Sequence, residues 1–247
     1  MAQRTLAILG ACGGIGQALV NDSLAQGYEV IALDLPASFK RQALDSAVHC
    51  LDVDATSHTS LKHAADSIKA SHGMINGFVN LCGFADEDAD LVGRDETSWR
   101  AILDVNLNAA FFSTEALAPL IKPGGSIVQM GSDLGLVPRP GYGPYAVSKA
   151  GISMLTRQLA IELAPDIRVN CVSSTAVDTA FLRGGTGKAT DDEPLRFDVA
   201  AYEQQTPLKR IAKAKDISGP ILFLLSDAAA YITGQTLHVN GGRFMAL

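Results

Sequence analysis

Apolar residues along this chain come in two alternating textures. Short dense runs at 5–9, 29–33, 48–51, 77–81, 126–130, 168–172 and 236–240 are mostly rich in β-branched or aliphatic residues and bounded by Gly, Asp, Asn or Ser. Such runs predict seven strands. Between them, apolar positions recur at helical spacing near 15–26, 57–71, 97–120, 143–164 and 215–226, with a shorter stretch at 38–46. Strands that alternate with helices and rarely alternate apolar with polar belong to a parallel sheet covered on both sides. Right-handed crossovers then wind helices onto both faces, and ligands collect outside the strands' C-terminal ends. The expected architecture is α/β: a doubly wound, seven-stranded parallel sheet in a single domain over 1–247. One long irregular stretch, 178–209, holds a glycine-rich tip (Gly184, Gly185, Gly187) together with Phe181, Leu182, Leu195, Phe197 and Tyr202. Loops beyond about 12–15 residues are usually lids, binding loops or disordered segments, and the apolar content predicts a substrate lid.

Composition narrows the partners. Acidic and basic residues are interspersed and the net charge is −6. A nucleic-acid or anionic-membrane surface needs clustered Lys and Arg, so neither partner is expected. No apolar run reaches the ~18 residues of a membrane span, and the N-terminus lacks the layout of a signal segment. Cys12, Cys50, Cys82 and Cys171 form no C-x-x-C pair, which points to reduced thiols in a cytoplasmic protein. His49, His58, His63, His72 and His238 show no ligand spacing, so no metal site is expected. The acidic loop 86–90 reads as solvated surface.

Chemistry enters where the first strand ends. There Gly10-Ala11-Cys12-Gly13-Gly14-Ile15-Gly16 leads into the helical stretch 15–26. Glycines permit a tight turn and let backbone N–H groups approach a pyrophosphate at the helix N-terminus. An ordinary strand-to-helix turn would use the same residues, but Asp34 closes the second strand. Its carboxylate accepts both hydroxyls of an adenosine ribose and repels a 2′-phosphate. Leu35, Pro36 and Ala37 follow where NADP would need a cation, and Lys40 and Arg41 lie further along. NAD is the expected cofactor. Asp52, just before Val53, is placed to bind the adenine amino group, with a helix cap as the alternative role.

A second constellation starts at Tyr145-Ala-Val-Ser-Lys149, which opens the helical stretch 143–164. A spacing of four sets the two side chains on one helix face. A phenol with a pKa of about 10 is a poor base at neutral pH. A neighbouring ammonium is expected to lower that value, so that Tyr145 exchanges a proton with an alcohol or ketone. The bare pattern is common in exposed helices; its companions give it weight. Ser132 falls just past the fifth strand, in the crevice, where its hydroxyl reaches a substrate oxygen. Asn106 lies in the stretch 97–120 among Val105, Leu107, Phe111 and Phe112, where an amide is awkward to bury. It is expected to disturb the helix locally and to anchor a water in a proton relay.

Taken together, these residues resemble the short-chain dehydrogenase/reductase family over nearly the whole chain. The matching features are Gly10, Gly14 and Gly16, the segment Asn80-Leu81-Cys82-Gly83, Asn106, Ser132, Tyr145, Lys149 and the run Gly234–Gly242. The resemblance implies a Rossmann-like sheet and a catalytic tetrad. Tyr145 is then the general acid/base, Ser132 orients the substrate oxygen, Asn106 supports the relay, and Lys149 also binds the nicotinamide ribose. It further implies cofactor contacts along Gly10, Gly14, Ile15, Gly16, Asp34, Asp52, Val53, Asn80, Gly83, Tyr145 and Lys149. Three positions depart from the family pattern. Leu9 replaces the usual Thr, Leu81-Cys82 replaces Asn-Ala, and Ser174-Thr175 stands where Pro-Gly is typical. Val177 would still offer backbone groups to the carboxamide, and Thr179 a hydroxyl.

The expected activity is interconversion of a secondary alcohol and a ketone with NAD(H). Two alternatives remain: an NADPH-dependent reductase of carrier-bound 3-oxoacyl groups, against which Asp34 argues, and a non-catalytic NAD-sensing protein, which would have no need of Ser132, Tyr145 and Lys149. The resemblance also suggests a homotetramer, packed through the stretches 97–120 and 143–164 and the C-terminal strand.

Overall fold

The structure, a computed structural model, describes residues 3–85, 90–184, 194–195 and 197–245. Residues 86–89 of the acidic loop and Gly185 and Gly187 of the expected lid tip lie outside these. Strands β1 (Arg4–Leu9), β2 (Tyr28–Asp34), β3 (His49–Asp52), β4 (Ile75–Asn80), β5 (Ile121–Ser132) and β6 (Ile167–Ser174) form the main sheet with β9 (Thr236–Val239). Their order is β3-β2-β1-β4-β5-β6-β9, and every neighbouring pair is parallel. The order reverses beside β1, so the C-terminal ends of β1 and β4 part to open the crevice typical of such sheets.

Both faces of the sheet are buried, as the continuous apolar strands require. Along β1, Ala7 and Leu9 join one core while Leu6 and Ile8 join the other. Along β2, Ile31 and Leu33 face the first core, and Val30 and Ala32 the second. Helices α3 (His58–His72), α5 (Ala109–Leu117) and α6 (Gly143–Glu162) cover the first, supplying Leu61, Ile68, Leu117 and Ala160. Helices α1 (Gly14–Ala25) and α9 (Ala214–Leu225) cover the second with Leu19, Val20, Ile217 and Ile221. The short α2 (Pro36–Arg41) follows β2. No helix among the described residues is long and apolar enough to cross a membrane.

Two features differ from the sequence expectation. The stretch 97–120 is not one α-helix: α4 (Glu96–Leu103) passes into a π-helical turn at Asp104–Asn108, then α5, then a 3₁₀ turn at Ala118–Leu120. The stretch 178–209 contains α7 (Phe181–Gly184) and α8 (Val199–Gln205), and its base is fixed by a small second sheet. There β7 (Val177–Asp178) pairs in parallel with β8 (Ala212–Lys213). Two-residue strands carry no readable periodicity, so the sequence gives no sign of them.

Close packing at the first turn explains one glycine better than ligand approach does. A Cβ on Gly16 would lie 2.3 Å from the Gly10 carbonyl oxygen and 2.6 Å from that of Ala11. Both are backbone atoms that cannot step aside. On Gly13 the nearest atom would be 3.4 Å away. Gly16→Ala is therefore expected to cost about 1–3 kcal/mol of stability, and Gly13→Ala less than about 1 kcal/mol, as read by urea unfolding of both variants.

Candidate active site

The crevice is built from strand ends and the first turns of two helices. At its left wall β1 gives way to the glycine turn, and α1 starts at Gly14 with Gly13 as its N-cap. No side chain caps this helix and its first turn holds no acidic residue. The opening amides of Gly14, Ile15 and Gly16 thus present a positive helix end to any bound anion. Asp34 closes β2 beside the turn. One carboxylate oxygen accepts from the Cys12 amide at 2.8 Å, and the other from the Leu35 amide at 2.8 Å. Each oxygen keeps lone pairs for a further donor. Asp52 pairs with Asp34 in register on β3, and the Val53 amide donates to the Asp34 carbonyl at 2.8 Å. These residues come together as the sequence predicts, and they form a cradle fit for the diphosphate and ribose of a dinucleotide.

From the other side, Thr179 leans over the same turn. Its methyl would meet a Cβ on Gly14 at 2.6 Å, so Gly14 leaves room for it. Its hydroxyl is spent locally on the Val177 carbonyl at 3.3 Å, while Val177 itself is buried in the second core. Asn80 is 2% exposed and has a structural task. Its amide nitrogen donates to Gln129 and its oxygen accepts from the Cys82 amide, each at 3.0 Å. Gln129 continues the chain to Thr114 at 2.9 Å. Leu81 and Cys82, which depart from the family pattern, pack against the two cores. At Ser174 strand β6 simply continues, paired with Ser132 on one side and Val239 on the other.

The candidate catalytic residues gather where β5 meets α6. Ser132 ends β5; its hydroxyl oxygen accepts from the Leu134 amide at 3.3 Å, and the hydroxyl is near enough to the Tyr145 phenol to favour its ionised form. Lys149 lies one turn on from Tyr145, with its ammonium over the phenol ring. The ammonium donates to the Met130 carbonyl at 2.9 Å, and sits 5.6 Å from the centroid of the Tyr145 ring. This corrects the expectation that Lys149 lowers the phenol's pKa. Burial pushes Tyr145 up to about 12, opposed by the nearby Ser132 hydroxyl. Burial also pulls Lys149 down to about 8. Its neighbours, half-buried Cys82 and buried Cys171, are thiols held up at about 12 and about 11, so they offer no lasting negative charge at neutral pH.

Asn106 is fully buried within the π-helical turn, where its amide works in both directions. The oxygen accepts from the Phe84 amide and the nitrogen donates to the Phe84 carbonyl, each at 2.9 Å. The nitrogen also reaches the Ser148 hydroxyl at 3.3 Å, which in turn donates to the Tyr145 carbonyl at 2.6 Å. π-bulges of this kind commonly mark functional positions. Gly83 fits beneath: a Cβ there would lie 3.3 Å from both Asn106 Oδ1 and Lys149 Nζ.

One group escaped the sequence reading. Asp133, directly after Ser132, is 4% exposed. Its carboxylate accepts from Ser173 at 2.8 Å and Asn240 at 2.6 Å, and pairs with His238 Nδ1 at 2.7 Å. Its partners come from β6, β9 and the segment just after, all distant in sequence, so no local spacing announces it.

A family model described as "Enoyl-(Acyl carrier protein) reductase" matches residues 10–243. The chain belongs to the short-chain dehydrogenase/reductase family. This dehydrogenase/reductase is 33% identical over 248 residues to a 3-oxoacyl-acyl-carrier-protein reductase of Thermotoga maritima, covering 95% of each. It is similar in structure to the short-chain dehydrogenase/reductase "Glucose/ribitol dehydrogenase" from Brucella melitensis, with TM-score 0.88, 29% identity, and 98% and 97% of the two chains covered. It is also similar to a 3-ketoacyl-(acyl-carrier-protein) reductase from Brucella melitensis complexed with NADH, with TM-score 0.87, 25% identity and 98% of each chain covered. The protein is thus an oxidoreductase of a family that uses a nicotinamide cofactor.

Lys149 has a stability signature. A lysine whose folded pKa lies below its unfolded value binds fewer protons folded than unfolded between the two, so stability rises with pH across that window. Wild type is expected to gain on Lys149→Met as pH goes from about 8 towards 10.5, with a total relief of about 3 kcal/mol. Urea unfolding of both proteins at pH 7, 8, 9 and 10 measures it, and parallel curves would contradict the buried ammonium.

Proposed function

We propose that this protein interconverts a secondary alcohol and a ketone with NAD(H) as its cofactor. The observation that supports this most is the Lys149 ammonium over the Tyr145 ring, with Ser132 at the end of the neighbouring strand, at the mouth that also holds the glycine turn and Asp34. Gly10, Gly14, Ile15 and Gly16 would carry the pyrophosphate, Asp34 the adenosine ribose, and Asp52 with Val53 the adenine. Asn80 and Gly83 would border the cofactor, Tyr145 and Lys149 would hold the nicotinamide ribose, and Val177 and Thr179 would meet the carboxamide. When bound, the nicotinamide supplies or accepts the hydride.

The remaining work falls to the chain itself. Ser132 fixes the substrate oxygen. Tyr145, protonated at neutral pH, gives its proton to that oxygen in reduction and takes it back in oxidation. The cationic form of Lys149 favours any negative charge that develops nearby. Asn106 holds the Tyr145 turn and stands where a water could join Lys149 to solvent. The described parts of the 178–209 stretch, α7 and α8, would border the substrate and bear on specificity. The protein is a cytoplasmic homotetramer in this reading, supported by the half-exposed Phe111, Val147 and Leu237 and the more exposed Met154 and Ile161 on α5, α6 and β9.

A second reading, reduction of carrier-bound 3-oxoacyl groups, is favoured by the likeness to proteins of that name. The NADH complex of one such protein means that a preference for NADH would not exclude it.

Two experiments test these readings. Tyr145→Phe is expected to cut kcat by about 10²–10⁴-fold while NADH binding, followed by nicotinamide fluorescence, persists. Substantial remaining turnover would remove Tyr145 as the acid/base. For the cofactor, kcat/KM with NADH should exceed that with NADPH by about tenfold or more, and Asp34→Ala should narrow the gap. A wild-type preference for NADPH would sink the role given to Asp34.

A further inference from the structure

Strand β6 ends where the chain crosses the crevice. Ser174, its last residue, pairs in register with Ser132 on β5. Further along, the Thr179 methyl packs on Gly14, where α1 begins. The residues between, 175–178, therefore run from the candidate catalytic end of the mouth to the end fit for a diphosphate. With the diphosphate on the glycine turn and the reacting atoms at Ser132 and Tyr145, the nicotinamide falls beside that span.

The span is held in its middle from α8. The Ala176 amide donates to the Tyr202 hydroxyl at 3.2 Å, directly before Val177, whose pairing with Ala212 ties β7 to β8. Tyr202 is itself gripped by groups outside the crevice. The Arg243 guanidinium lies 4.1 Å from the centroid of its ring, donates to the Tyr202 carbonyl at 3.1 Å and reaches Gln205 Oε1 at 2.8 Å. Phe197 stands edge-on to the same ring with centroids 5.5 Å apart. A guanidinium stacked on the ring and bonded to the carbonyl of the same residue restrains side chain and backbone together. The Arg243 amide donates to the Asn240 carbonyl at 3.1 Å. The Asn240 side chain donates to the Asp133 carboxylate at 2.6 Å, beside Ser132. One network thus joins the neighbour of Ser132, the C-terminal segment, α8 and the Ala176 amide.

We propose that Tyr202 is a positioning residue for the nicotinamide half of the cofactor: its hydroxyl holds the Ala176–Val177 backbone beside that half, and Arg243 holds Tyr202. This rests on the NAD(H) reading. Because α8 carries the tyrosine, docking of α8 and binding of the nicotinamide stabilise each other, and linkage makes the effect reciprocal. The adenosine half, on the glycine turn and Asp34 in the same reading, gains nothing from Tyr202.

The test uses the full chain with two probes, NADH and ADP-ribose, which has every part of NADH except the nicotinamide. Calorimetric titration reads both affinities. Tyr202→Phe keeps the ring and removes the hydroxyl; it is expected to weaken NADH by about three- to tenfold and ADP-ribose by less than about twofold. Arg243→Met should weaken NADH with the same selectivity. In wild type, hydrogen exchange should be slowed in residues 175–178 and in α8 more by NADH than by ADP-ribose at equal saturation, a comparison that needs no variant to fold. Equal weakening of both probes, no weakening of NADH in either variant, or equal protection by the two probes would each overturn the proposal. If NADPH bound and NADH did not, the role of Asp34 would fall, and NADPH against 2′-phospho-ADP-ribose would decide the role of Tyr202 by the same three outcomes. A wild-type protein that binds neither nicotinamide cofactor would overturn the oxidoreductase reading and this inference with it.

Discussion

The amide of Asn106 is the constraint on which the centre of the molecule turns. Fully buried, it binds the backbone of residue 84 in both directions and reaches Ser148 on α6. A buried amide left without partners would be costly, and a regular α-helix with Asn106 facing the loop after β4 would have to place it within reach of those groups. The π-helical turn provides the placement. Through Ser148 and the Tyr145 carbonyl the same chain of bonds locks the turn of α6 that carries both Tyr145 and Lys149. A departure from helical regularity on one side of the crevice therefore fixes the chemistry on the other.

Burial sets the charge state of the site more than pairing does. Sequence spacing puts a phenol and an ammonium on one helix face, but it cannot say where the ammonium ends. In the folded chain it donates to a β5 carbonyl while lying over the phenol ring. Both groups are shifted towards their neutral forms, Tyr145 upward and Lys149 downward, as desolvation demands. The free protein thus holds a proton on Tyr145 at neutral pH, the form needed to protonate a carbonyl oxygen.

Most of the fold and much of the candidate site's layout are legible in the sequence, because both rest on local patterns. Strand ends fell within a few residues of the expected positions: β1 and β6 start one residue earlier than read, and β5 extends at both ends. The glycine turn, Asp34 and the Tyr145–Lys149 pair are adjacent in sequence to the elements that position them. What stayed hidden depends on contacts far along the chain. The β7–β8 pair is too short to show a period, and the grip of Thr179 on Gly14 joins segments far apart in sequence. The break in the helix around Asn106 was foreseen in kind, since a polar residue stood among apolar ones, but its form depends on a backbone partner at residue 84. The ring of Phe181, its centroid 6.0 Å from that of Tyr145, comes from beyond β6, where spacing carries no information.

The carboxylate behind Ser132 has a consequence for the order in which the site matures. Asp133 is joined to His238 across 105 positions of sequence and to Asn240 across 107. During synthesis, which proceeds from the N-terminus, the chain reaches Ser132, Tyr145 and Lys149 well before it reaches those partners. In the interval Asp133 has Ser173 at most to receive it, and a carboxylate so poorly matched favours water over the interior. The turn after Ser132 is therefore tied to both β6 and β9, the last strand of the chain. A nascent chain that already holds Ser132, Tyr145 and Lys149 still lacks two of the partners that hold Asp133 in the folded protein.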